Sequence, residues 1–166
     1  MRKCVALFIV ALLAVSVYGQ EVKSVKAVDL EKIIAESKTP LIINMWATWC
    51  MPCIEEIPYF LEEVRKHNVS AGSSDSIQLL LVSLDFKEAF PGDISSFAKK
   101  RKFTAPIVWL DETNADYFCP KIDAKWSGAI PATLFINNKT GYRKFVEEQI
   151  SHEKLRQEIT AILEKK

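Results

Sequence analysis

Two thiols three positions apart, Cys50 and Cys53, stand where an apolar, β-prone run gives way to a helical pattern. A thiol at a helix N-terminus faces unpaired backbone N–H groups and the positive end of the helix dipole, and both favour the thiolate. Cys50 takes that first position. Cys53 lies one turn further in, within bridging distance but less exposed. The chemistry this arrangement allows is dithiol–disulfide exchange, in which Cys50 attacks a substrate disulfide as nucleophile and Cys53 resolves the mixed disulfide. Met51 and Pro52 lie between the thiols, and Pro52 stiffens the first turn. Zinc sites use the same spacing, but there is no second Cys-x-x-Cys, and His67 and His152 lack ligand-like spacing. No metal is therefore expected. A purely structural bridge over so short a loop would stabilise little.

The elements that must hold this pair follow from hydrophobic periodicity. Residues 41–47 form a continuous apolar run of strand length, which predicts a central strand covered on both faces. The helix after it, over residues 51–66, carries Ile54, Ile57, Leu61 and Val64 at spacings of three and four, with Glu55, Glu62 and Glu63 on the other side. Pro58 inside it predicts a kink. Upstream, residues 21–40 read as a short strand and a helix with Leu30, Ile33 and Ile34 on one face and Asp29 as its cap. Downstream come a strand at 77–84, a helix opening at Pro91 and running to about Lys102, a strand at 107–110, and a helical turn or two within 114–126. Strands at 133–136 and 142–146 form a hairpin with Gly141 in the turn. A C-terminal helix carries Leu155, Ile159 and Ile162. Alternating units followed by a hairpin imply a mixed central β-sheet flanked by helices, an α/β fold.

A chain of 166 residues suits one domain. Arg2 and Lys3, followed by the apolar run 4–17 and Val17-Tyr18-Gly19, predict a signal peptide over residues 1–19, with an uncleaved membrane anchor as the alternative. The domain is expected over residues 20–166. Without Arg2 and Lys3 the 22 basic residues become 20 against 21 acidic, a net charge of −1. That balance leaves no basic excess to suggest nucleic acid and argues against long-range electrostatic capture as the main way of finding partners. Of the cysteines that follow the signal segment, Cys119 has no evident mate and reads as a buried small hydrophobe. Trp46 reads as core, Trp49 as a partly exposed platform beside Cys50, and His67 and His152 as surface residues.

The run Trp46-Ala47-Thr48-Trp49-Cys50-Met51-Pro52-Cys53 closely resembles the thioredoxin active-site signature. Extended from Asn44 to Pro58, it resembles the TlpA/ResA branch of extracytoplasmic thiol:disulfide oxidoreductases, with Met51 a departure from many relatives. A second landmark, Ile130-Pro131-Ala132-Thr133-Leu134-Phe135-Ile136, extends the resemblance over most of the chain. It implies a thioredoxin-like fold with an extra central element, assigned to residues 86–103. It implies that the Ile130–Pro131 bond is cis and packs opposite the thiols, leaving the Ile130 backbone to pair with an extended substrate. Thioredoxins of the cytosol carry an Asp where this chain has Asn44, which cannot act as a base. The resemblance points instead to Glu56, one turn after Cys53, as the proton acceptor; the competing reading is a solvated surface glutamate.

The expected activity is that of a protein-disulfide reductase for exported proteins, periplasmic or otherwise extracytoplasmic. It would act as a monomer with no cofactor beyond the Cys50–Cys53 disulfide. By resemblance its electron donor is a membrane thiol carrier, and cytochrome c maturation is the best-known downstream use. Three rivals remain: a disulfide oxidant or isomerase with the same cysteines, a thiol peroxidase, which would need a peroxide-reactive Cys in its own polar setting rather than a paired one, and a binding module without turnover.

Overall fold

The computed structural model describes residues 21–71 and 76–164, so the signal segment read at residues 1–19 lies outside the described residues. Among the described residues, six strands form one mixed sheet: β1 (Lys23–Val25), β2 (Leu41–Trp46), β3 (Gln78–Ser83), β4 (Ile107–Leu110), β5 (Ala132–Asn137) and β6 (Tyr142–Val146). Their spatial order is β1-β4-β3-β2-β5-β6. The first four are parallel neighbours, whereas β5 runs antiparallel to β2 and β6 antiparallel to β5. Five helices cover the sheet: α1 (Ala27–Glu36), α2 (Met51–Ser70), α3 (Gly92–Arg101), α4 (Ala115–Ile122) and α5 (His152–Leu163).

Strand β2 explains why its sequence runs apolar without alternation. Every residue of it is buried, because side chains two apart share a face and both faces are covered. Ile42 and Trp46 join the core under α2, α3 and α5. Leu41, Ile43 and Met45 join the core shared with α1 and α4. By the same alternation Asn44 points to the α2 side, the one polar position in an otherwise apolar strand.

Some local expectations are corrected. Helix α1 is capped by Lys26, and Asp29 sits three residues inside it, accepting from the Lys26 backbone N–H at 2.9 Å. Its buried stripe is Ala27, Leu30 and Ile34, while Ile33 is exposed, because 100° per residue carries Ile33 off that stripe. Helix α2 continues through Pro58 and one turn past Lys66. The stretch 86–103 resolves into a short 3₁₀ turn at Lys87–Ala89 and α3, which ends with Lys102 in the left-handed conformation at φ 59°. His152 is half-buried rather than a free surface residue: its Nε2 lies 2.8 Å from Glu63 Oε1 and its ring stacks on Tyr59.

Candidate active site

The Cys pair sits at the carboxyl end of β2, the central strand flanked by parallel β3 on one side and antiparallel β5 on the other. Such ends open onto the crevice where α/β sheets place their ligands. Cys50 is the N-cap of α2, extended at φ −89° and ψ 93°, and Pro52 occupies the first turn, where its missing N–H costs no helical bond. The two sulfurs are joined at 2.04 Å with Cα atoms 5.3 Å apart, so the structure is that of the oxidised form. Cys50 keeps 5% of its surface exposed and Cys53 none. Of the pair, only Cys50 keeps any exposed surface.

The turn before Cys50 is held by a residue that periodicity did not single out. Asp85, two residues beyond β3, accepts from Thr48 N–H at 3.0 and 3.1 Å and from Thr48 Oγ1 at 2.6 Å. Ser83 Oγ donates to the same carboxylate at 2.8 Å, and Trp109 Nε1 donates to the Asp85 carbonyl at 2.8 Å. The neighbouring strand thereby fixes the turn that leads into Cys50. The available signal was an acidic residue just after an apolar strand, at the sheet end that carries the thiols.

Glu56 is fully buried, which excludes the solvated alternative. Its Oε1 accepts from Asn44 Nδ2 at 2.8 Å and its Oε2 from the Ile150 backbone N–H at 2.7 Å. Burial raises its pKa to about 7 against the opposing pull of these two donors. Asn44 Nδ2 also donates to Thr133 Oγ1 at 3.0 Å, and Asn44 Oδ1 is buried without a partner. Glu56 follows Cys53 by three residues on α2, so the two share a face of the helix. This places a carboxyl that titrates near neutrality on the Cys53 side of the pair.

The Ile130–Pro131 bond is cis, with Pro131 buried and Ile130 half-buried against both cores. A second cis bond, Phe90–Pro91, lies outside the sequence expectations. Trp49 and Met51, which flank Cys50, are each 56% exposed, and Phe86 is 72% exposed and stacks on Trp49 with centroids 6.3 Å apart. Three large apolar side chains thus stand in solvent near Cys50. Trp46 is fully buried. Cys119 is free and 3% exposed on α4, with burial foremost pushing its thiol up to about 11. Among the described residues no His, Cys, Asp and Glu cluster could hold a metal. A cavity of about 580 Å³ lined by Leu41, Gln78 and Pro106 lies at the opposite ends of the parallel strands, a strand length from the thiols.

Comparison with known proteins agrees with this geometry. The model of the AhpC/TSA family matches residues 14–142. Sporulation thiol-disulfide oxidoreductase A of Bacillus subtilis (strain 168) is 33% identical over 84 residues, 50% of this chain and 48% of that protein. Thiol-disulfide oxidoreductase ResA of Geobacillus thermodenitrificans (strain NG80-2) is 24% identical over 122 residues, 74% of this chain and 62% of its own length. The matches therefore span about half to three-fifths of these relatives. The crystal structure of a thioredoxin-related protein from Neisseria meningitidis serogroup B superposes with a TM-score of 0.60 at 25% identity, over 78% of this chain and 89% of that one. The fold is thioredoxin-like, and the chain belongs to the AhpC/TSA family.

Proposed function

We propose that the chain is an exported thiol:disulfide oxidoreductase that reduces disulfides in other proteins. The observation that carries this reading is the graded accessibility of the pair: Cys50 at the mouth of α2, Cys53 sealed behind it, and Glu56 buried one turn further on. The relatives named as thiol-disulfide oxidoreductases support it.

In the reduced protein the Cys50 thiolate attacks one sulfur of a substrate disulfide. The substrate S–S bond breaks, a Cys50–substrate disulfide forms, and the departing substrate sulfur takes a proton. Glu56 accepts the Cys53 proton, and Cys53 then attacks Cys50 Sγ. That step breaks the mixed disulfide, releases the second substrate thiol and closes Cys50–Cys53. Two electrons have passed from protein to substrate. An external dithiol, for which a membrane thiol carrier is the candidate, restores the reduced pair. Cytochrome c maturation is a process that would consume such reducing power. Export is supported by the residue pattern over 1–19, and among the described residues no helix is long and apolar enough to cross a membrane.

The potential of the pair tests the direction of flux. A value near that of thioredoxin, about −270 mV, supports the reductase, whereas one near −120 mV assigns the chain to the oxidants. A thiol peroxidase needs a peroxide-reactive Cys in its own polar setting, whereas Cys119 is buried with its thiol pushed up to about 11; stoichiometric consumption of peroxide would restore that reading. If Cys50→Ser preserved the biological role, a binding module without turnover would replace the enzyme.

A further inference from the structure

Residues 127–129 lead into the cis bond, and one carboxylate holds them. Glu147 lies directly after β6. Val146 is registered with Thr133, so Glu147 falls beside the start of β5 and the segment entering it. Its Oε1 accepts from Ser127 N–H at 3.0 Å, from Ser127 Oγ at 2.5 Å and from Ala129 N–H at 3.0 Å. Its Oε2 adds a longer contact to Ser127 N–H at 3.3 Å. From within, Trp126 Nε1 donates to the Ala129 carbonyl at 2.9 Å. Between these contacts Gly128 adopts φ 96°, and a Cβ there would lie 3.6 Å from Cys119 Sγ.

We propose that Glu147 is a positioning residue for protein substrates, fixing the main chain ahead of the cis bond so that the Ile130 peptide groups meet an extended segment beside Cys50. The inference rests on the oxidoreductase reading and adds a residue to it. Three donors converge on a single carboxylate oxygen, and hydrogen bonds to an ionised acceptor are about twice as strong as neutral ones. Two of the three are backbone N–H groups of the same short loop, so the contact fixes main-chain direction rather than one side chain. Ser127 and Ala129 are exposed and could bond water instead. Their orientation toward Glu147 is therefore not demanded by burial, and its consequence is local order. Recognition of an extended segment by main-chain pairing depends on such order, because the binding edge must be preformed. A small disulfide has no extended segment and does not sample it.

The full chain is tested in its prereduced form against insulin and against dithiobisnitrobenzoate, with redox potential and amide hydrogen exchange alongside. Glu147→Ala is expected to raise KM for insulin about tenfold, the equivalent of one hydrogen bond to a charged acceptor. Its rate with dithiobisnitrobenzoate and its potential stay unchanged, and the Ser127 and Ala129 amides exchange faster. Glu147→Gln keeps an oxygen but no charge and falls between. Should Glu147→Ala fail to fold, Ser127→Ala removes the hydroxyl contact alone and shifts KM the same way by less. Equal loss on both disulfides, no change on insulin, or unchanged exchange at 127–129 overturns the proposal while leaving the enzyme reading standing. A wild-type chain that reduces neither disulfide overturns both.

Discussion

Cys50 and Cys53 differ more in access than in chemistry, and the residues beneath them supply the rest. A buried carboxyl whose native pKa is about 7, against 4.5 unfolded, binds its proton more tightly in the folded state. Its contribution to stability is whole below about pH 4.5 and is lost as pH rises through 7, by about 3 kcal/mol. Glu56→Gln removes that dependence. Urea unfolding at pH 5 and pH 8 is expected to show wild type losing about 2–3 kcal/mol relative to the Gln variant across the interval. Asn44 sets the same residue by donating to it. Asn44→Leu withdraws that donor, and the remaining Ile150 N–H holds the carboxylate less well. The acid limb of the thiol-exchange rate then moves above its wild-type position, read as a pH–rate profile of Cys53-dependent release. An unmoved limb would show that Glu56 does not handle the resolving proton.

At the scale of elements, the strand–turn–helix unit is stiffened from its neighbours. Asp85→Ala leaves Thr48 N–H and the Ser83 hydroxyl without their carboxylate, in a half-buried to buried setting. The expected cost is about 2–3 kcal/mol, measured by denaturant unfolding, since orphaned donors lose the full desolvation penalty. Slower attack by Cys50 should accompany it, because the 47–49 turn loses its tether. The loop before Pro131 has a different weak point. Gly128→Ala meets ordinary contact distances at Cys119 Sγ and Ala115 Cβ, but φ 96° suits glycine and strains an L side chain. A destabilisation of about 1–2 kcal/mol is expected from the backbone alone, seen in the same unfolding assay.

For the whole molecule, the sheet buries two cores and leaves the reactive end ringed by Trp49, Met51 and Phe86. Cys53→Ser blocks resolution but not attack, so it is expected to accumulate mixed disulfides through Cys50, visible as reductant-sensitive adducts by mass spectrometry. Cys50→Ser accumulates none. The sequence by itself determined the elements and the pair: periodicity marks β2 and α2, and two thiols at their junction define the chemistry, because these are properties of residues near in the chain. The C-terminal hairpin was legible for the same reason. Glu56, Pro131, Trp49 and Ile130 could be named from motif position, yet whether Glu56 was solvated stayed open until Asn44 of β2 and the Ile150 N–H were seen to enclose it. Asp85 offered only its place just after an apolar strand, and Glu147 offered no signal. Their partners lie 37 and 18–20 residues away, and single acidic residues carry no periodic signal. Only strand order and register, fixed by long-range pairing, decided which carboxylate holds the turn before Cys50 and which holds the loop before the cis bond.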